Sequence, residues 1–306
     1  MAGLVNLLKT KGLSYCYKQM KSRFWLNDKQ VLNFVNMLGL YDYLQKYSYV
    51  LEQPLKPAGK PNPFPDKVWV CWLQGMEQAP AVVKKCVETI YRHAGGEDRV
   101  IVLSEQNMSD YIQMPVDLLE KWKKGIISNT HFSDLLRLAL LVEYGGVWID
   151  STSYLTEDLP DDVVEADLFC FKAGPIAKII ASNWFFAAKP HHEVLEKTRN
   201  LLYEYWRKEN KLVAYSIFHP FFTMAVESTP ACREAWQRVP SFNDMNAKVL
   251  SDELFTPYSP ERWKQICRFS FVHKLSYKYG EEEYRKPGTF YAMLLQDKLK
   301  NLWAWR

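Results

Sequence analysis

Several features are missing from this 306-residue chain, and each absence closes off a class of protein. No run of eighteen apolar residues occurs, so no membrane-spanning helix is expected. The first residues carry no uncharged apolar stretch ahead of a small-residue cleavage site, so no secretory signal is expected. The six cysteines are scattered and no pair has CxxC spacing, which speaks against a zinc site and for free thiols in a reducing compartment. The net charge of +4 comes without a clustered basic stripe, which argues against a dedicated nucleic-acid binder. There is no internal repeat and no low-complexity tract.

What is present describes a globular protein. Hydrophobic residues make up 48% and charged residues 24%, and the length suits one large α/β domain with an appendage. Aromatics reach 15%, with 11 Trp and 18 Tyr. That supply serves a sugar- or base-stacking surface as readily as a core.

Residues 1–52 look helical and separate. Met1 to Arg23 sets five basic side chains among apolar ones, which fits a helix docked with its lysines in water or one lying on an anionic membrane. Residues 31–50 continue with a core-facing stripe. Residues 53–66 hold five prolines, which lack the N–H that helices and ladders use, so a linker and a domain boundary are expected there. The main domain is expected over residues 67–306. In it, Val68–Leu73, Pro80–His93 and Arg99–Leu103 read as strand, helix and strand, a parallel βαβ unit. Asp167–Lys172 and Ile179–Ala187 read as strands about a Gly174–Pro175 turn. His191–Glu209 and Val213–Glu227 read as helices, the second kinked at Pro220. RFSFVHKLSYK reads as a strand with a basic tail, and Phe290–Leu302 as a closing helix.

The chain is organised around residues 133–152, SDLLRLALLVEYGGVWIDST. Leu135 to Val142 is apolar almost all round, as an interior helix is, and only Asp134 and Arg137 interrupt it, on one face. Gly145 and Gly146 end the helix. Val147 to Ile149 is a short strand, and Asp150 follows where open α/β sheets place ligand groups. Asp150 with Thr152 has two readings, a divalent-cation site or a turn cap.

Asp134, Arg137, Gly145, Gly146, Trp148, Ile149 and Asp150 resemble the sugar-nucleotide signature of a glycosyltransferase group. The group includes family 32 and the bacterial capsular polysaccharide synthesis proteins. Its signature is Asp and Arg three apart, then Gly-Gly, an aromatic, an apolar residue and Asp-x-Asp. Asp150–Ser151–Thr152 looks like the capsular variant, with threonine in place of the second acid. The resemblance extends loosely over roughly residues 66–280.

The resemblance implies a GT-A-like fold, a mixed, mostly parallel sheet flanked by helices, here with the N-terminal helical appendage. It implies a sugar moved with retention from a nucleoside diphosphate-sugar, a UDP-sugar, to a growing capsular or other cell-surface polysaccharide, on a glycan or lipid-linked acceptor. A divalent cation, Mn2+ or Mg2+, is implied as cofactor. The implied location is cytoplasmic, with peripheral membrane contact through residues 1–52.

Asp150 is the implied metal and catalytic residue, with His273 as the second metal partner in place of the missing acid. Asp134 and Arg137 are implied to bind the hydroxyls of the donor sugar. Asn183 would steady the oxocarbenium-like transition state; its other reading is a strand-end amide bonded to backbone. Trp72 and Gln74 are placed at the base, where Trp72 reads equally as core packing. Trp148, Thr152, Lys274 and Lys278 are assigned to the nucleotide and its diphosphate. His219 reads as structural. No residue stands out as a catalytic base. Thr152 also motivates an alternative, a nucleotide-sugar- or glycan-binding relative without catalysis.

Overall fold

In the computed structural model the described residues are 28–55, 62–64, 66–173 and 178–299. The segment Met1–Arg23, the Gly174–Pro175 turn and the end of the Phe290–Leu302 helix therefore lie outside the described residues. In chain order come α1 (Asp28–Leu44), β1 (Val68–Cys71), α2 (Ala81–His93), β2 (Val100–Leu103), α3 (Val116–Lys123) and α4 (Asn129–Tyr144). β3 (Gly146–Ile149), β4 (Ser153–Leu155), β5 (Leu168–Lys172), β6 (Ala181–Ala188), α5 (Glu193–Lys208) and α6 (Phe218–Glu227) follow. The last elements are α7 (Pro230–Arg238), α8 (Asp244–Glu253), α9 (Pro260–Phe269), β7 (Val272–Lys274) and α10 (Phe290–Leu295).

Five strands form one sheet in the order β2-β1-β3-β6-β5. β1 pairs in parallel with β2 and β3, while β6 runs antiparallel to both β3 and β5. Four of the five strands thus point the same way and β6 alone is reversed. This is the mixed, mostly parallel sheet flanked by helices that the family resemblance implies.

Both faces of the sheet are covered, and strand alternation assigns each side chain to a face. Trp69, Trp148, Cys170 and Phe186 belong to one core, built with α4, α5 and α6. Val68, Val70, Val147, Ile149, Phe169 and Phe171 belong to the other, built with α2, α8 and α9. α2 shows how the sequence directs this: Val82, Val83, Cys86, Val87 and Ile90 recur at helical spacing and all are buried. The five described cysteines are free, and four of them are buried as small apolar groups.

A second, two-stranded sheet pairs β4 with β7 in antiparallel register, Ser153 opposite Lys274 and Tyr154 opposite His273. It carries a late piece of chain to the end of β3, and this positions the site.

Three expectations need correction. The N-terminal segment is helical where described, but it is not separate. Leu44, Tyr47 and Val50 are buried in the same core as α5 and α6. The Tyr47 ring meets Tyr205 and Phe221 edge-on at 5.7 and 5.9 Å, and its hydroxyl donates to Glu209 Oε1 at 2.7 Å. Residues 37–50 therefore share a core with the main domain, while most of the proline-rich stretch, residues 56–61 and 65, lies outside the described residues. Pro220 does not kink a helix, because α6 begins only at Phe218 and a first-turn proline forfeits no intrahelical bond. Of the stretch RFSFVHKLSYK, residues 268–278, only Val272–Lys274 is a strand, and its first two residues, Arg268 and Phe269, are the end of α9.

Candidate active site

The site begins with the way α4 ends. Ser128 caps its first turn, accepting from the His131 backbone N–H at 3.4 Å. At the other end Gly145 and Gly146 take φ values of 66° and 86°. A β-carbon at Gly145 would meet the Ala188 carbonyl oxygen, and one at Gly146 the Lys67 carbonyl oxygen. Only two glycines let the helix turn straight into β3 beneath its neighbours. β3 then runs four residues, and Asp150 stands at its C-terminal end facing back toward the helix. The Asp150 backbone N–H donates to the Trp184 carbonyl at 2.9 Å, and its own carbonyl accepts from Ser153 N–H at 2.9 Å, which fixes the turn.

Both oxygens of the Asp150 carboxylate accept hydrogen bonds. Its Oδ1 accepts from Arg137 Nη2 and Trp148 Nε1, both at 2.9 Å. Its Oδ2 accepts from Lys274 Nζ at 2.7 Å, and the same ammonium donates to Thr152 Oγ1 at 2.7 Å. Arg137 donates through Nη1 to Asp134 Oδ1 at 2.6 Å, and Asn183 Nδ2 donates to that oxygen at 3.0 Å. The guanidinium lies 4.9 Å from the centre of the Trp148 ring, on its face. Burial pushes the Asp150 carboxyl up, but Lys274 and Arg137 outweigh it and hold the group below the usual carboxylate range. Burial dominates at Asp134 and pushes its carboxyl up against the pull of Arg137.

A cavity of about 280 Å³ opens above this network, at the C-terminal ends of β1 and β3. Trp72 and Gln74 come from the end of β1, Asp150 and Thr152 from the end of β3, and Lys274 and Lys278 from β7 and the loop beyond. Trp148 contributes to the floor, with its indole N–H turned to Asp150. Seven of the residues singled out from sequence therefore meet at one cavity.

Four do not. Asp134 and Arg137 are buried beneath the floor, with side chains 8% and 2% exposed, and do not line the cavity. Arg137 bonds both Asp134 and Asp150 from beneath the floor, where contact with the donor sugar's hydroxyls is expected from the resemblance. Asn183 extends the same network through Asp134 and is likewise absent from the wall. His273 alternates with Lys274 along β7 and faces the opposite way. It is wholly buried, tilted against Trp263 at 6.1 Å, with Nε2 3.4 Å from Thr156 Oγ1. Burial pushes its pKa down to about 3, so it is a neutral core histidine and not a ligand at this cavity. His219 is structural, its Nδ1 bonded to the Ala181 carbonyl at 2.9 Å.

Some wall residues were not anticipated. Tyr277 lines the cavity and meets Trp72 edge-on at 5.1 Å. Its signal was its place between Lys274 and Lys278. Asn129, Thr130 and Ser133 bring the N-terminal turn of α4, with its free N–H groups and partial positive charge, to the wall. Ser128 was the cue, as an N-cap ahead of a buried helix. Tyr215, from the loop before α6, has no sequence signal that separates it from other tyrosines.

The donor set does not fit the implied Mn2+ or Mg2+. Such a cation takes about six oxygen ligands with one or two carboxylates among them. The cavity wall offers one carboxylate, Asp150, and both of its oxygens already accept hydrogen bonds from positive or N–H groups. Among the described residues no three His, Cys, Asp or Glu side chains cluster as metal ligands do.

A mixed sheet whose strand ends hold an acid between two fixed cations, under an open cavity, defines an α/β protein with its candidate site at the carboxyl ends of the strands. The chain belongs to the capsular polysaccharide synthesis protein family, whose model matches residues 20–294. It is 27% identical to the O-glycosyltransferase braB of Annulohypoxylon truncatum over 157 residues, 45% of this chain and 37% of that protein. It is also 27% identical to the O-glycosyltransferase PaGT of Phomopsis amygdali over 164 residues, 48% of this chain and 40% of that protein. The matched stretch thus spans about two fifths of the length of these curated relatives. A solved PaToxG glycosyltransferase aligns with 90% of this chain and 98% of its own at 12% identity and a TM-score of 0.40. No described helix is long and apolar enough to cross a membrane.

Proposed function

We propose that this protein is a glycosyltransferase that moves a sugar from a nucleoside diphosphate-sugar, a UDP-sugar, to a hydroxyl of a growing cell-surface polysaccharide. The observation that carries the reading is the Asp150–Lys274–Thr152 cluster at the strand ends, beneath a cavity that also holds Lys278 and the α4 N-terminus. The glycosyltransferase names of the curated relatives agree with it. The aromatic pair Trp72–Tyr277 offers faces for the base, and the positive groups accept the diphosphate.

In the reaction the bond between the anomeric carbon and the β-phosphate oxygen breaks, and its electron pair leaves with the diphosphate. A bond from the acceptor oxygen to the same carbon forms, and the acceptor's proton goes to the departing phosphate. Negative charge grows on the diphosphate, so fixed cations there lower the barrier. Among the described residues Asp150 is the only carboxylate on the wall, and Lys274 and Arg137 hold it below the usual carboxylate range, which makes it a weak base. An inverting transfer needs a base at the acceptor hydroxyl. This favours transfer with retention, with the leaving phosphate as proton acceptor.

Thr152, in place of the second acid, favours a second reading, a relative that binds nucleotide-sugar without transferring it. Release of UDP or GDP from a panel of donor sugars, with and without polysaccharide fragments, separates the two. The proposal expects turnover with one donor, and a loss of about 100-fold or more in Asp150→Asn. Donor binding with neither transfer nor slow hydrolysis identifies the binding protein. Full turnover of that donor by Asp150→Asn removes Asp150 from the site.

A further inference from the structure

We infer that Lys274 occupies the position a divalent cation would need and supplies the fixed positive charge against the departing diphosphate, so that nucleotide binding is independent of metal. The inference rests on the proposed function and goes beyond it by naming the group that takes the leaving charge.

The position is built by the second sheet. The Ser153–Lys274 register, with Leu275 N–H donating to the Thr152 carbonyl at 2.9 Å, lays the lysine along the turn that follows β3. Its ammonium then bridges the first and third residues of Asp150–Ser151–Thr152, at 2.7 Å from each side-chain oxygen. Two acids in this turn would carry more negative charge than one lysine balances. One acid and one hydroxyl suit a single ammonium, so the threonine and the lysine explain each other. An ammonium has three donors. Two are spent here, and Lys274 lines the cavity, so the third is available to a phosphate oxygen.

Charge balance leads to the same place. Asp134 and Asp150 are matched by Arg137 and Lys274, and the cluster is neutral before any ligand arrives. A divalent cation on Asp150 would stand within about 4 Å of the ammonium, a distance at which like charges repel by several kcal/mol at a partly buried site. Lys274 and the cation therefore exclude one another. An arriving diphosphate instead finds Lys274, Lys278 and the N-terminal N–H groups of α4.

The test is calorimetric binding of UDP and GDP to the full chain in EDTA and in manganese. Equal affinity in the two conditions, together with a loss of about tenfold or more in Lys274→Met and near-recovery in Lys274→Arg, is the expected result. The wild-type comparison and the arginine variant decide the matter even where the methionine variant does not fold. Affinity about tenfold or more tighter in manganese overturns the inference and leaves the glycosyltransferase reading standing. Binding of neither nucleotide in either condition overturns both.

Discussion

Arg137 and Lys274 hold opposite oxygens of one carboxylate: Arg137 Nη2 is 2.9 Å from Asp150 Oδ1, and Lys274 Nζ is 2.7 Å from Oδ2. One partner comes from the helix before β3 and the other from a strand, 124 residues after Asp150. The carboxylate therefore depends on local sequence and on long-range topology together.

Arg137 is the most buried charged member of the cluster, and it serves Asp134 as well as Asp150. Its replacement by methionine strands Asp134, a carboxylate already buried, without its cation. Arg137→Met is expected to lose about 3–5 kcal/mol of stability, the usual cost of breaking a buried pair from one side. Urea denaturation measures it. The double variant Arg137→Met with Asp134→Asn should recover part of the loss.

Stability should fall on mild acidification because of two buried histidines. Burial lowers the pKa of His273 to about 3 and of His219 to about 4, from an ordinary 6.5. The unfolded chain takes up these protons first, so their contribution is complete above pH 6.5 and is lost as pH falls toward the folded values. Between those limits each histidine costs about 1.4 kcal/mol per pH unit. Unfolding free energy followed from pH 7 to 4.5 should show this slope, and His273→Gln should make it shallower.

Gly146 should tolerate no side chain. It combines a φ of 86° with a backbone oxygen where a β-carbon would lie. Gly96 has a φ of 70° but open space around that position. Gly96→Ala is expected to cost about 1 kcal/mol, whereas Gly146→Ala should cost more than about 3 kcal/mol, because strain and collision act together. Thermal unfolding of the two variants compares them directly.

The N-terminal segment should prove to be part of the domain. Tyr47 is 3% exposed and lies among aromatic rings of α5 and α6. Tyr47→Ala should cost about 3–5 kcal/mol, as truncation of a core aromatic does. A chain beginning at residue 67 should lack a cooperative unfolding transition.

The sheet and the path into the site were legible in the sequence because they rest on local patterns. The β-branched run at Val68, the periodic face of α2 and the buried run of α4 ended by Gly145 and Gly146 each point one way. The three-residue strands β4 and β7 were not legible as a pair, since neither is long enough to show alternation. Without that pairing, His273 and Lys274 were equal candidates for the site, and only the register separates the cavity lysine from the core histidine. Arg137 and Asp134 were found from their cost inside an apolar helix. Their depth below the floor was not legible, because spacing along a helix gives a face and not a distance from a ligand. The N-terminal stripe was visible, but composition alone does not show whose core it joins.

A structure with UDP bound tests the site most directly. The diphosphate should lie within hydrogen-bonding distance of Lys274 Nζ at the α4 N-terminus, with the base against Trp72 and Tyr277 and the Asp134–Arg137 pair still beneath the floor. A nucleotide bound elsewhere, or a diphosphate out of reach of Lys274, would contradict the assignment of this cavity as the donor site.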